Sequence, residues 1–236
     1  MYSIAAQSHS NYVSKVQPRN LAKRSPTVTV HLHAYDVSCH EPTRENRKIY
    51  AAILGWIDAL KPSSVLEVGS GVGMLGHAIA ERGIRYVGLE PDVGQREYCR
   101  KHYPRLNIID ASCYDPPEKY GLGEFDLAFS TDVVEHLYLP KRLVSFEKAH
   151  VRQNGHVLTC TPEFGSYWKN CLYSLFNKWD TVHSPLWDGG HIKFFSRKSM
   201  RRIFEDQGFV DFQWSTVRNV NIPVLPMSMI CVCRRP

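Results

Sequence analysis

The residues able to handle a ligand gather behind short apolar runs. Glu67 lies inside one of them, Val65-Leu66-Glu67-Val68, and is followed by glycines at 69, 71 and 73. Alternate glycines let a chain turn sharply and let a ligand touch backbone, because no Cβ stands in the way. Behind them residues 74–82 carry a helical pattern (Leu75, Ala78, Ile79) stopped by Gly83, so the loop presents N–H groups at a helix start. This is the layout of a strand-loop-helix nucleotide site. Residues 71–76 also fit G-x-G-x-x-G, with Glu90 about 20 residues on, which is the pattern of a dinucleotide site. Glu67 weighs against that reading: a carboxylate beside the loop repels a pyrophosphate and attracts a cation.

Further acids and histidines follow in order. Tyr86-Val87-Gly88-Leu89 ends in Glu90, whose carboxylate can accept from both hydroxyls of a ribose. The run 106–109 ends in Asp110-Ala111. The run 125–130 ends in Ser130-Thr131-Asp132, with Glu135 and His136 just beyond, and Gly189-Gly190 precede His191. Ligands in open α/β sheets sit beyond the carboxyl ends of strands, so all of these residues are expected on one edge.

Glu67, Gly69, Gly71 and Gly73 spell E-x-G-x-G-x-G, and in this the chain resembles the class I S-adenosylmethionine (SAM)-dependent methyltransferases. SAM carries a sulfonium and an ammonium but no phosphate, in keeping with the sign of Glu67. The resemblance covers about residues 45–215 and implies a cofactor set of Glu67, Gly69, Gly71, Gly73, Glu90, Asp110, Ala111 and Ser130. In it Asp110 would accept from the adenine amino group. Glu135-His136 is similar to the motif of small-molecule methyltransferases such as the ubiquinone-biosynthesis O-methyltransferases. There a divalent metal held by two acids and the histidine would correspond to Asp132, Glu135 and His136. Asp132 is shorter than that group's usual Glu. Attack of an acceptor oxygen on the sulfonium methyl also calls for a base, for which His191, His136 and His183 are the candidates.

These residues need a framework to hold them. Residues 44–60 read as a helix with one apolar face (Ile49, Ile53, Trp56, Ile57, Leu60), ended by Pro62. Runs of strand type at 86–90, 106–109, 125–130 and 157–161 alternate with helices at 93–102 and after Pro140. A Ser196-capped helix and strands at 209–215 and 228–233 complete the chain. The expectation is an α/β fold: a doubly wound, seven-stranded, mostly parallel sheet with strand 7 antiparallel. A cap of about residues 163–195 is inserted after strand 5, in a domain of residues 44–236 preceded by an N-terminal tail or lid, residues 1–43. The cap is rich in aromatics, and Tyr167, Trp168 and Trp187 are expected to wall a substrate pocket, with His191 facing the methyl group.

The chain has 236 residues and a formal net charge of +6, spread along its length, which fits a solvated surface better than a nucleic-acid track. A small-molecule acceptor is therefore expected ahead of RNA or protein, and nucleic acid is not expected as a partner. An NAD-dependent oxidoreductase ranks last. Seven scattered cysteines without a C-x-x-C pair read as reduced thiols of a cytoplasmic protein. The acid-free, Ser-rich stretch before Asp36 overlaps in composition with organelle leaders. His31, His33, Cys39 and His40 carry donor atoms but no known ligand spacing, and no apolar run reaches the ~20 residues of a membrane span.

Overall fold

A computed structural model describes residues 42–236 apart from 184, 187 and 188. The tail or lid, the histidines near residue 31 and Trp187 lie outside the described residues. The chain opens with α1 (Arg44–Leu60), whose cap Thr43 accepts from the Asn46 N–H at 3.1 Å, and whose Ile49, Ile53 and Ile57 are buried at helical spacing. Lys61 takes a left-handed conformation and Pro62 prevents continuation. There follow β1 (Ser64–Val68), α2 (Met74–Ala80), β2 (Arg85–Leu89), α3 (Val93–His102), β3 (Ile108–Ile109), β4 (Phe125–Thr131), α4 (Pro140–His150) and β5 (Val151–Pro162). Two short helices, α5 (Tyr167–Leu175) and α6 (Asp180–His183), precede α7 (Arg197–Glu205), β6 (Val210–Arg218) and β7 (Pro226–Arg234).

The seven strands form one sheet in the order β3-β2-β1-β4-β5-β7-β6. All neighbours from β3 through β5 pair in parallel, and β7 is antiparallel to both β5 and β6. The doubly wound sheet with an antiparallel seventh strand is thus as the sequence predicts. β3 is shorter than expected, because Leu106 packs against the α1/α2 layer instead of pairing. β5 is longer and begins at Val151, with a register irregularity opposite Phe125 and Leu127.

Neighbouring residues of each strand feed opposite faces. Val65, Leu127, Ile230 and Val232 join α1 and α2 on one side, while Leu66, Ala128, Cys231 and Cys233 join α4 and α7 on the other. Both faces are covered, so the strands read as unbroken apolar runs. Gly76 permits one close approach: a Cβ there would lie 2.3 Å from the Tyr86 ring. That ring therefore slides under α2 toward β1.

Candidate active site

Strand order reverses between β1 and β4, and the loops leaving β1, β2 and β4 meet beyond that point. They bound a cleft of about 250 Å³ whose walls include Glu67, Gly69, Gly71, Glu90 and Asp132. The glycine loop hangs from the last carbonyl of β2, with the Gly69 and Ser70 N–H groups donating to Leu89 O at 2.8 and 2.9 Å. Gly69 has φ +76°, and a Cβ on it would strike Val133 at 2.4 Å, so glycine is required there for both reasons.

Glu90 faces this loop. Its carboxylate accepts from the Gly71 N–H at 2.8 Å and from the Asp92 N–H at 2.9 Å. A carboxylate has about four acceptor sites, so two bonds fix its direction and still leave capacity for hydroxyl donors. Burial raises its pKa, against the two N–H bonds. Glu67 is only 2% exposed and accepts from the Tyr86 hydroxyl. Burial, opposed by that bond and reinforced by the charge of Glu90, lifts the Glu67 carboxyl to about 8.

Other members of the expected cofactor set sit elsewhere. Ser130 is 0% exposed, its hydroxyl facing Thr159 Oγ1 at 3.4 Å and lying beside Glu147 in the core, so its side chain does not reach the cleft. This corrects its assignment as a cofactor-binding side chain. Strand parity is the reason: Ser130 shares a face with Ala128, which belongs to the α4/α7 core. Asp110 does not line the cleft either. Its side chain is 72% exposed and its Oδ2 accepts from Arg96 Nη2 at 2.9 Å, while Ala111 is buried. Arg96 also donates to Glu90 O at 2.7 Å, tying the ends of β2 and β3 together. Asn46, Tyr50 and Gln95 also line the cleft. Asn46 and Tyr50 stand one helical turn apart on α1, a spacing readable in the sequence once α1 is known to cross this edge.

Beyond β4, Asp132 adopts φ +52°, a conformation that Asp tolerates better than most side chains. Burial lifts its carboxyl to about 6, offset in part by a hydrogen bond with Glu135. Glu135 is buried and accepts from the Thr161 hydroxyl at 3.0 Å, and burial together with the charge of Asp132 raises its pKa strongly. The Glu135 carbonyl accepts from the Ile192 and Lys193 N–H groups at 3.0 and 2.9 Å, which brings the far end of the cap to this loop. His191 arrives with it, its ring 5.0 Å from that of His136. His136 Nδ1 lies 3.3 Å from Gly190 O, a carbonyl that can accept from it. Nε2 is 4.0 Å from Glu135 Oε1. Burial lowers the His136 pKa, against bonds to the Gly190 and Gly189 carbonyls that raise it.

One ligand atom from each of Glu135, His136 and His191 falls within 4.8 Å of the other two. Glu135 Oε1, a buried oxygen with no hydrogen-bond partner among the described residues, is the kind of atom a cation satisfies. The donor set thus fits a divalent ion. Its third member is His191, where the sequence points to Asp132, whose carboxyl here hydrogen-bonds with Glu135.

The cap aromatics divide. Phe164, Trp179, His183 and Phe194 line a second cavity of about 430 Å³. His183 meets Phe194 edge to face at 4.6 Å and stacks on Trp179 at 5.4 Å. Tyr167 and Trp168 are 70% and 72% exposed and are not among the residues lining that cavity. On α5 it is Lys169, not these rings, that is buried, its ammonium donating to Glu163 O at 2.6 Å.

Comparison with known proteins agrees with this architecture. Residues 38–213 match a family model described as a methyltransferase domain. The chain belongs to that family, on the fold of the class I SAM-dependent methyltransferases. A ubiquinone biosynthesis O-methyltransferase of Acinetobacter baumannii is 26% identical over 130 residues, 52% of this chain and 55% of that protein. An uncharacterized methyltransferase of Mycolicibacterium gilvum is 35% identical over 82 residues, 34% of this chain and 31% of its own length. The chain thus aligns with between a third and about half of these curated relatives. A SAM-dependent methyltransferase of Archaeoglobus fulgidus shares the fold at a TM-score of 0.61 and 16% identity, over 80% of this chain and 94% of that one. Magnesium protoporphyrin IX methyltransferase of Synechocystis, solved with S-adenosylhomocysteine (SAH), has a TM-score of 0.61 at 15% identity, over 81% and 84% of the two chains. Among the described residues, no helix is long and apolar enough to cross a membrane.

Proposed function

We propose that this chain transfers the methyl group of SAM to an oxygen of a small-molecule acceptor. The observation that carries the proposal is the pairing of Glu90, directed by two backbone N–H groups, with Glu67, buried beneath the glycine loop. Glu90 suits a ribose diol, and its position across the loop gives the nucleoside a fixed direction. Glu67 supplies the negative end of a cleft for a cationic ligand. A carboxyl held near 8 by burial ionises readily once a positive charge lies beside it, so the site favours a sulfonium compound over a pyrophosphate.

SAM supplies an electrophilic methyl when bound; the chain's own residues align the acceptor, exclude water and accept a proton. His136, with Nδ1 3.3 Å from Gly190 O, and His191 beside it are the bases that suit an oxygen acceptor. The A. baumannii relative, an O-methyltransferase by name, supports oxygen as the methylated atom. Were a divalent ion held by Glu135, His136 and His191, its Lewis-acid polarisation of the acceptor hydroxyl would replace the two histidines as the means of activation. Residues 163–195 act as a cap of the 44–236 domain, with the cavity lined by Phe164, Trp179 and Phe194 as the place for an apolar or aromatic part of the acceptor. Incubation of cell extract with the enzyme and isotopically labelled SAM, followed by metabolite profiling, tests the proposal. A labelled methyl ether supports it, whereas label confined to macromolecules overturns it.

A further inference from the structure

A third cavity, of about 510 Å³, lies where the chain leaves and re-enters the cap, and it shares no lining residue with the cleft around Glu90. Its polar lining comes from four places: Glu163 after β5, Ser166 at the start of α5, Arg197 and Lys198 at the start of α7, and Thr216 and Arg218 on β6. Three cations thus face one carboxylate. That carboxylate is already engaged, Oε1 by the Gly165 N–H at 3.0 Å and Oε2 by Arg197 Nε at 3.4 Å. Among the described residues the Arg218 side chain donates only to the Pro223 carbonyl, at 3.4 Å, and neither it nor Lys198 has an acidic partner.

We propose that this cavity binds the phosphoryl group of a small molecule. Two positive charges remain after Glu163 is counted, and a phosphoryl dianion matches them where a carboxylate would neutralise only one. The hydroxyls supply further donors. Thr216 Oγ1 accepts from Arg197, and Ser166 Oγ accepts from the Lys169 N–H at 3.4 Å, so each keeps its own proton to give. Arg197 is positioned in advance, held by Glu163 and Thr216 with its guanidinium 5.7 Å from the Trp214 ring centre. The volume falls within the ~300–1,000 Å³ of small-molecule sites, which leaves room for the organic part of a phosphorylated compound. The site also joins the two ends of the cap: the Phe164 N–H donates to Phe195 O at 3.0 Å, and a Cβ on Gly165 would lie 3.1 Å from Ser196 Cβ. The inference does not depend on the methyl-transfer reading.

Calorimetry on the full chain at constant ionic strength tests it, with pyrophosphate, inorganic phosphate and acetate as probes, with and without saturating SAH. Pyrophosphate is expected to bind at one site with Kd below about 1 mM, phosphate more weakly, and acetate without saturation. Lys198→Gln with Arg218→Gln should weaken pyrophosphate at least tenfold while SAH affinity stays within about twofold. Lys198→Glu, at an exposed position, should lower pyrophosphate affinity about tenfold by itself. Absence of saturable pyrophosphate binding, or binding that these substitutions leave unchanged, would overturn the proposal. So would acetate binding as tightly as phosphate, or an RNA oligonucleotide binding more tightly than pyrophosphate and losing affinity in the same variants.

Discussion

The Tyr86 hydroxyl donates to the Glu67 carboxyl beneath the glycine loop, and Gly76 makes the path for it. One residue of G-x-G-x-x-G therefore serves the neighbouring strand and not a phosphate. Tyr86→Phe leaves a buried carboxyl without its donor. Urea unfolding should show a loss of about 1–3 kcal/mol, the scale for an unsatisfied buried polar group. SAH affinity should fall as well. Unchanged stability with unchanged SAH binding would mean that the hydroxyl holds nothing in place.

The cluster of Glu135, His136 and His191 leads to a prediction about metal. Activity should disappear in chelator and return with Mg²⁺ or Zn²⁺ if the three donors hold an ion. Glu135→Gln should then lower ion affinity by 10-fold or more, read by competition with a chelating dye. Turnover indifferent to chelator would leave His136 and His191 as base and positioning group only.

His191→Ala should lower turnover by about 100-fold, the scale for loss of a general base or its partner, with SAH affinity nearly unchanged. Phe194→Ala and Trp179→Ala should instead act on acceptor KM, since both side chains line the cap cavity. Trp168→Ala serves as the control. Its ring is exposed, so a large effect on acceptor KM would show that the cap closes over it in turnover.

Glu147 sets a pH dependence of stability. It lies fully buried on α4, and burial lifts its carboxyl to about 8, with the nearby Ser130 hydroxyl acting the other way. The folded state keeps a proton that the unfolded chain releases at the ordinary carboxyl value of 4.5, so folded stability is fully present below that value. It declines as pH rises toward 8. Glu147→Gln should be more stable than the parent at pH 8 by at least ~1 kcal/mol and should lose less stability between pH 5 and 8. Glu67 titrates over the same window, so a residual slope remains. Parallel curves for parent and variant would show that Glu147 is ionised in the fold.

Much of the architecture was legible because its signals are local. The unbroken apolar runs, the glycine loop after β1 and the acid after β2 each fix a feature within a few residues, and the match to residues 38–213 agrees with them. The misses share a cause: they depend on which way a side chain points within a layer, or on contacts between distant segments. Ser130 lies near the end of a strand that buries residues on both faces, so hydropathy alone does not tell one face from the other. Asp110 meets Arg96 across 14 residues, and His191 is brought toward Glu135 by the Ile192 and Lys193 N–H bonds to the Glu135 carbonyl, which span more than 50. Asn46 and Tyr50 look like any polar flank of α1 until the topology lays that helix along the cleft.

Calorimetric titration of the parent chain and Glu90→Ala with SAH and with NAD tests the central claim most directly. SAH should bind the parent in the micromolar range, and Glu90→Ala should weaken it by roughly 1.5–3 kcal/mol, the scale of a charge-assisted hydrogen bond, with NAD giving no saturable heat. NAD binding more tightly than SAH, or SAH binding indifferent to Glu90→Ala, would contradict the account.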